Sequence, residues 1–510
     1  MPKYNQYNLA QSRIFLKFAP KISLSNMKNS IVGREEEIAR LEKYIKSDRS
    51  EFIAIYGRRR VGKTFLVKEL FGDNFAFRIT GRENAGMKEQ LVNFSYAISD
   101  YFGEEVPVND WQEAFRVLSK AIERQRPGVK IIFIDELPWL DSPKSHFIGA
   151  LEYFWNNWAS YRSDIKLIVC GSATSWMLKK IINARGGLHN RVTHKILISP
   201  FSLRETELYF RKNGFDYERL EILDCYMAVG GVAYYLSLFD TDKSVAENIN
   251  SLCFTSGGEF VDEFSKLYKS LFKKADKHLA VVNTLGRVGK GMTRLELLEQ
   301  TGMKNNGNVS TILNELEACE FIRSYVPFGK SKKEKLYQLV DLFSLFYLRF
   351  MKGGGVFARN YWHSTIGTGA YNAWCGYAFE VVCLHHIDEI VDGLGIGGII
   401  SRPCSWAYRP GEQAKTDAQL DEDLRTGAQI DLLIDRKDKT VTVCEMKYSD
   451  TAYEIDKSYF ERIQERMRTF RKVTGTTKTL TTTFVTPLGL KDNMYARKCG
   501  RQITADELFK

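Results

Sequence analysis

One run of residues in this chain has the composition and spacing that hold nucleotide phosphates. The pattern G-x-x-x-x-G-K-[ST] is matched by Gly57-Arg58-Arg59-Arg60-Val61-Gly62-Lys63-Thr64. Glycines let backbone N–H groups wrap around phosphate oxygens, and a helix N-terminus adds partial positive charge. In this pattern the lysine, Lys63, reaches the β- and γ-phosphates, and the Thr64 hydroxyl binds Mg²⁺. We therefore predict a site for ATP and Mg²⁺, formed by this loop and by Phe65 after it.

A second group of polar residues completes the predicted site. Asp135 and Glu136 end the apolar run KIIFID-E, where carboxylates are rare unless they have a function. Asp135 fits the residue that orients the ligands of Mg²⁺, and Glu136 fits the base that positions an attacking water. Ser172 ends the next apolar run and has two interpretations. It either hydrogen-bonds that water or the γ-phosphate, or it caps the following helix.

The elements around these residues alternate between strand and helix. FIAIY (52–56), KIIFID (130–135) and KLIVCG (166–171) read as buried strands, with helical periodicity between them. Such alternation predicts an α/β fold in which helices cover both faces of a parallel sheet. Residues 204–275 read as a helical lid.

Four motifs in this order, GREEEIARL, GRRRVGKT, FIDE and GSATSWM, resemble the prokaryotic AAA-family ATPases related to the STAND and archaeal DNA-associated groups. The resemblance spans residues 31–350. It implies that Arg191, or its rival Arg185, faces the γ-phosphate, although a plain surface position remains the alternative for both. It also implies that Arg34 lies near the nucleotide base. The family's Gly-Gly-x-Pro turn is Gly230-Gly231-Val232-Ala233 here, so its proline is missing.

Residues 276–350 read as a winged helix-turn-helix. Three short helices precede the strands FIRSYVPF and KLYQLV, and Thr293 caps the second helix. The turn between the strands carries Lys330, Lys332 and Lys333. In this motif the third helix enters a DNA major groove and the wing meets phosphates. Winged helices also serve as protein-packing modules, and a lysine-rich turn is often merely solvated, so DNA contact is one of two interpretations.

The last part of the chain combines acidic residues and a lysine. Asp431 lies on the first strand of a predicted hairpin, and Glu445 and Lys447 alternate on the second, so they share a face. Residues 365–490 resemble the PD-(D/E)XK restriction-endonuclease-like fold, and Glu380 matches the acidic residue of its first helix. That resemblance implies bound Mg²⁺ and a lysine that orients water. Inactive versions that bind DNA, or that only package the ATPase, are the alternative.

Composition limits the environment and partners. The net charge of +11 is compatible with a polyanion, and we expect DNA as a partner. No stretch reaches the roughly 18 apolar residues that span a bilayer, so we expect no membrane contact. The nine cysteines contain no C-x-x-C pair, which favours a reducing cytoplasm. A homo-oligomer is compatible with the sequence.

The predicted organisation has five parts: a tail (1–30), a P-loop core of the AAA type (31–203), the helical lid (204–275), the winged helix (276–350) and a nuclease-like domain (365–510). The favoured function is Mg²⁺-dependent ATP hydrolysis by a DNA-associated protein, with nuclease activity in the last domain as an option. The alternative is a nucleotide-gated switch of the STAND type, whose nuclease-like domain is inactive.

Overall fold

The computed structural model describes residues 30–272, 274–353, 360–411 and 422–510. Most of the predicted tail, residues 1–29, therefore lies outside the described residues. Among the helices of the described ranges, none combines the length and apolar character that a membrane span requires.

The first sheet contains five parallel strands. In chain order they are β1 (Glu51–Tyr56), β2 (Phe75–Thr80), β3 (Lys130–Asp135), β4 (Ile165–Gly171) and β5 (His194–Leu197). Their spatial order is β2-β3-β4-β1-β5, and every neighbouring pair is parallel. The central strands β3 and β4 are buried along their whole length, as their unbroken apolar runs predict. The predicted α/β class is confirmed, and the carboxyl ends of β1, β3 and β4 meet at one edge.

Helices cover both faces of this sheet. They are α1 (Glu35–Ile45), α2 (Lys63–Phe71), α3 (Met87–Phe102), α4 (Trp111–Glu123), α5 (Leu137–Leu140), α6 (Phe147–Asn157) and α7 (Thr174–Met177). One apolar cluster includes buried residues of α1, α2 and the sheet, while a second includes residues of α3, α4 and α6. The two clusters separate because alternate strand residues point to opposite faces.

A helical region follows β5. It comprises α8 (Leu203–Lys212), α9 (Arg219–Val229), α10 (Ala233–Leu236), α11 (Val245–Phe254) and α12 (Glu263–Leu271). Ser202 and Ser244 start two of these helices with reciprocal side-chain bonds to Glu205 and Glu247, which satisfy N–H groups that the helix cannot pair itself.

The next segment pairs three helices with a small sheet. The helices are α13 (Ala275–Val288), α14 (Arg294–Thr301) and α15 (Gly307–Ala318), and the strands are β6 (Met292–Thr293), β7 (Ile322–Tyr325) and β8 (Leu336–Leu339). The strands lie in the antiparallel order β6-β8-β7. Thr293 caps α14 as predicted, since its hydroxyl accepts from the Glu296 N–H at 3.2 Å.

The C-terminal part has its own five-stranded sheet. Its helices are α16 (Leu342–Phe346), α17 (Tyr361–Thr365), α18 (Gly369–His385), α19 (Ile387–Gly393), α20 (Glu422–Arg425), α21 (Lys457–Thr474) and α22 (Ala505–Leu508). Its strands are β9 (Ile400–Tyr408), β10 (Ala428–Arg436), β11 (Thr440–Met446), β12 (Thr479–Val485) and β13 (Arg501–Ile503). The predicted hairpin is present as the antiparallel pair β10–β11, and β12 then joins β11 in parallel.

One core cluster links the helical region, the small sheet and part of the C-terminal part, which also has two smaller clusters of its own. A single cluster of buried apolar residues runs from Phe201 to Phe509 and includes side chains of the helical region, the small sheet and the C-terminal part. His386 strengthens this joint, because its Nε2 accepts from the Leu203 N–H at 3.0 Å while its Nδ1 lies 2.8 Å from the Val382 carbonyl oxygen. The predicted lid, winged helix and nuclease-like domain therefore form one packed body.

Asp224 of α9 contacts the C-terminal part and makes the stability of the folded chain depend on pH. The Tyr448 hydroxyl donates to the Asp224 carboxylate, and burial raises the pKa of Asp224 to about 6. Between the ordinary pKa of about 4 and the raised value, the folded chain holds a proton that the unfolded chain has released. This group's contribution to stability is therefore lost as the pH rises through that window.

We predict that the Tm difference between wild type and Asp224→Asn falls between pH 4 and pH 6 and is level above it. Thermal unfolding across that range measures the difference. Tyr448→Phe removes a hydrogen bond to the ionised Asp224 carboxylate. The pKa of Asp224 should therefore rise further, and the pH window should extend to higher pH. A Tm difference that is constant or rises with pH would contradict the assignment.

Candidate functional site

The phosphate loop joins β1 to α2 in a conformation that only certain residues adopt. Gly57 and Gly62 have φ angles of +143° and +93°, and Arg60 has +72°. A Cβ at Gly57 would lie 2.1 Å from the Ile198 carbonyl oxygen, so no larger residue fits there. Val61 faces inward and is buried in the core, whereas Phe65 is half exposed. The loop leaves the carboxyl end of β1 and leads directly into α2.

Lys63 is the first residue of α2, and its ammonium group is buried within the loop. Its Nζ donates to the carbonyl oxygens of Gly57 at 2.9 Å and Arg58 at 2.7 Å. The loop thus holds the positive charge at the helix N-terminus, where the dipole also attracts anions.

Thr64 and Asp135 meet across the loop. The Thr64 hydroxyl lies 3.0 Å from each carboxylate oxygen of Asp135. Burial raises the pKa of Asp135, and the charge of Glu136 raises it further. Because a hydroxyl and a carboxylate are hard oxygen ligands beside a phosphate-binding loop, these two residues fit Mg²⁺.

Ser172 holds Glu136, a role that neither predicted alternative contained. Its N–H and its hydroxyl both donate to Glu136 Oε2, at 3.1 and 2.8 Å. The N-cap interpretation is wrong, since α7 has Ala173 as its N-cap residue. Glu136 has a left-handed backbone, with φ of +46°, which turns the chain sharply after β3. The carboxylate is thereby fixed next to Asp135.

The loop arginines, which we grouped with the nucleotide contacts, direct their side chains elsewhere. Arg58 is buried, forms an ion pair with Asp341 and lies 4.8 Å from the centre of the Phe321 ring. Arg60 forms an ion pair with Glu263. Phosphate contacts by Arg58 and Arg60 would therefore use their backbone N–H groups. The sequence signal for these long-range partners is weak, because it consists only of charged residues at variable loop positions.

Arg59 behaves differently from its neighbours in the loop. Its side chain is exposed, and its guanidinium lies 3.6 Å from the Glu83 carboxylate. Both residues line the same pocket as Ser172.

The other predicted arginines lie in two separate regions, Arg34 near Phe201 and Arg185 and Arg191 before β5. Arg34 packs 4.7 Å from the Phe201 ring centre and donates to the Ser199 carbonyl oxygen. Gly231 touches the same region, since Phe201 N–H donates to its carbonyl oxygen at 2.6 Å. The structure thus brings the first motif and the Gly-Gly turn together. Arg185 and Arg191 are both exposed on the loop before β5.

A comparison with protein families agrees with this geometry. Residues 31–239 match the sequence model of a family described as an ATPase domain predominantly from Archaea. These residues form a P-loop ATPase domain. A curated relative, the uncharacterized protein MJECL04 of Methanocaldococcus jannaschii, is 26% identical over 374 residues, covering 70% of this chain and 77% of the relative.

Two solved structures resemble part of this chain. The Walker-type ATPase of Pyrococcus abyssi is 16% identical, covers 63% of this chain and 97% of its own, and has a TM-score of 0.47. The ORC2 protein of Aeropyrum pernix, solved in ADPNP-ADP complexes, is 14% identical, covers 66% and 95%, and has a TM-score of 0.38.

The C-terminal acidic cluster forms around β10, β11 and α18. Burial raises the pKa of Glu380 to about 8, and the charge of Asp431 adds to this effect while Lys447 opposes it. The charge of Glu445 also raises this pKa, so the other three predicted residues are all close enough to affect the pKa of Glu380.

Glu445, the fourth predicted member, is already engaged. Its Oε1 forms an ion pair with Arg466, and its Oε2 accepts from the Tyr459 hydroxyl at 2.7 Å. Within the described ranges, no three acidic, histidine or cysteine side chains converge as metal ligands. The donor set therefore does not fit the metal that the resemblance implied. Sequence reasoning missed Arg466 and Tyr459 because they come from α21, which pattern alone does not place over β11.

The small sheet lies beside the acidic cluster. Arg323 of β7 is partly buried beside Asp431, and its Nε donates to Gln338 at 2.9 Å. Tyr377, one turn before Glu380, donates to the Leu339 carbonyl oxygen of β8 at 3.4 Å. The small sheet thus contacts the helix that carries Glu380.

We predict that Lys63→Ala weakens ATP binding by about 100-fold, since charge-assisted hydrogen bonds contribute about 1.5–3 kcal/mol each. Titration calorimetry with ATP measures the change. Lys68→Ala, on the exposed face of the same helix, is the matched control and should bind like wild type.

We predict that Glu136→Gln binds ATP within about twofold of wild type but lowers kcat by about 10²–10⁴, since the amide keeps the shape and cannot act as a base. Phosphate release at saturating ATP gives kcat. Turnover equal to wild type would exclude the assigned role.

We predict that Arg58→Leu destabilises the chain by about 3–5 kcal/mol, because it leaves the Asp341 carboxylate buried without its partner. Urea unfolding measures the loss. Adding Asp341→Asn to the variant should restore part of it, whereas purely additive effects would show that the pair is not coupled.

Proposed function

We propose that this protein hydrolyses ATP with Mg²⁺ and associates with DNA. The proposal of ATP hydrolysis rests on the fixed position of the Glu136 carboxylate. Ser172 holds this carboxylate beside the Thr64–Asp135 pair. A base in this place, next to a loop that binds phosphates, supports in-line attack of water on the γ-phosphate.

Each residue has a defined part in this proposal. Lys63 offsets charge on the phosphates, and Thr64 and Asp135 would hold the cation. Mg²⁺, when bound, supplies positive charge to the β- and γ-phosphate oxygens. Glu136 orients the water and accepts its proton, while Ser172 keeps the carboxylate in place. Such preorganised groups act without reorganisation cost during the reaction.

The DNA association rests on residues 276–350, which we propose to be a winged helix. Three helices and the sheet β6-β8-β7 have the corresponding order along the chain. Asn308 and Thr311, in the first half of α15, are exposed, as are the three turn lysines Lys330, Lys332 and Lys333. Phe328, at the base of the turn, packs 5.1 Å from Phe470, so the C-terminal part supports the turn.

We predict that Lys330→Gln/Lys332→Gln/Lys333→Gln weakens binding to duplex DNA and lowers the slope of log K against log salt by about 3, since each phosphate contact contributes about 0.9. Fluorescence anisotropy with a labelled duplex at several salt concentrations measures both. Unchanged affinity and slope would exclude the turn as a DNA contact.

For residues 365–510 we propose a restriction-endonuclease-like fold that packs the ATPase and contributes to DNA binding. The engagement of Glu445 by Arg466 and Tyr459 supports this role over cleavage. Plasmid and linear DNA, incubated with Mg²⁺ or Mn²⁺ with and without ATP, should remain intact. Cleavage that Asp431→Ala/Lys447→Ala abolishes would overturn this assignment.

A nucleotide-gated switch is a second candidate, supported by a specific observation. Arg58 and Arg60 of the phosphate loop are paired with Asp341 and Glu263 of the packed body. A switch should show slow turnover that DNA does not change, together with an ATP-dependent change in the radius of gyration. Turnover that rises with DNA favours the first proposal.

A further inference from the structure

A large cleft lies between the ATPase domain and the helices that follow it. One wall consists of the loops after β2, β3 and β4, and the other consists of α12, α13 and α15. Its volume is about 1470 Å³, which exceeds the roughly 300–1,000 Å³ of typical small-molecule sites. The cleft therefore has room for a polymer segment.

The acidic residues of the cleft are engaged by neighbours. The pairs are Glu83 with Arg59, Glu263 with Arg60, Glu315 with His278, and Asp141 with the Trp176 indole N–H. Arg59 and Arg60 thus offset the charges of Glu83 and Glu263. Glu315 and Asp141 have hydrogen-bond partners, a histidine ring and an uncharged indole.

Several lysines of the cleft, in contrast, have no side-chain partner within the described ranges. Those that are exposed and have no ion-pair or hydrogen-bond partner for the side chain within the described ranges are Lys179, Lys180, Lys269, Lys274 and Lys277. They come from both walls, since the first two follow α7 and the others belong to α12, α13 and the segment between them. Positive charge on two facing walls suits a chain of phosphates.

Aromatic side chains accompany these lysines. Trp139, Trp176 and Phe272 all line the cleft, and both tryptophans are partly exposed. Asn308 and Thr311 add exposed polar groups from α15. Cationic side chains with accessible aromatic faces are the combination that binds single strands, whose unpaired bases stack on the rings. In a duplex the bases stack on each other and are not available to such rings.

We propose that this cleft binds single-stranded nucleic acid, with the lysines on phosphates and the tryptophans beneath bases. The cleft shares Asn308 and Thr311 of α15 with the duplex contact proposed above but does not include the lysine turn of residues 329–335. Its lysines and tryptophans therefore go beyond that contact. Its position next to Ser172 and Arg59 places the strand beside the nucleotide site.

The test uses the full chain and labelled oligo-dT and oligo-U of about 20 nucleotides, which exceeds a common site size of about 4–16. Anisotropy is measured against salt for wild type and for Lys179→Gln/Lys269→Gln/Lys277→Gln. We expect a loss of affinity of about tenfold or more and a slope smaller by about 2, since each single-strand phosphate contact contributes about 0.7. The matched control, Lys43→Gln/Lys120→Gln/Lys195→Gln, changes exposed lysines elsewhere and should bind like wild type.

A second variant tests the stacking. Trp176→Leu keeps an apolar side chain but removes the ring face, so binding to oligo-dT should fall by about tenfold or more. Its ATP affinity and circular dichroism verify that it is folded. Wild-type binding by both this variant and the lysine variant would overturn the proposal.

The remaining outcomes separate this site from the proposed duplex contact. The lysine-turn variant should lose duplex binding and keep single-strand binding. The variant Lys179→Gln/Lys269→Gln/Lys277→Gln should lose single-strand binding and keep duplex binding. Preference for oligo-dT or oligo-U identifies the strand as DNA or RNA. Displacement of oligo-dT by polyglutamate at equal charge concentration would show a general acidic-polymer site and overturn the assignment to nucleic acid.

Discussion

A buried ion pair between Arg58 and Asp341 joins the phosphate loop to the rest of the molecule. Asp341 also caps α16, because it accepts from the Ser344 N–H at 2.9 Å. Burial opposes the charge of Arg58, yet the carboxylate raises its pKa overall. Two guanidinium nitrogens, Nε and Nη2, are buried without a hydrogen-bond partner in the described structure. Such a pair contributes little net stability, since desolvation offsets much of its attraction, but removing one partner is costly.

The constraint that follows is geometric. Arg58 and Arg60 occupy the loop positions that lie between the glycines, and each is tied to a different element of the packed body. Because that body has one continuous core from Phe201 to Phe509, a shift of the loop must be accommodated by the body as a whole or by breaking a buried pair. Phosphate binding and the position of the body are thereby linked by ordinary packing, which is the requirement for coupling between a nucleotide and a distant surface.

The sequence predicted those parts of this architecture that depend on local pattern. The bounds of β3, the cap at Thr293 and the hairpin β10–β11 follow from apolar periodicity and turn residues. The meeting of Thr64 with Asp135 follows from parallel strands ending at one edge. The roles of Arg58, Ser172 and Glu445 depend instead on partners that are distant in sequence or come from separate elements. A side chain's type does not reveal which of several nearby groups it will contact after packing.

The acidic cluster of the C-terminal part lies next to the segment that leads to Asp341. Arg323 of β7 is beside Asp431, Tyr377 donates to Leu339 of β8, and β8 leads through Val340 directly into Asp341. A motion of β8 therefore moves the residue that pairs with Arg58. Glu445 would still need to exchange Arg466 and Tyr459 for other partners, which costs a buried charge pair and a hydrogen bond. That exchange of partners at Glu445 therefore separates this arrangement from a metal-binding one.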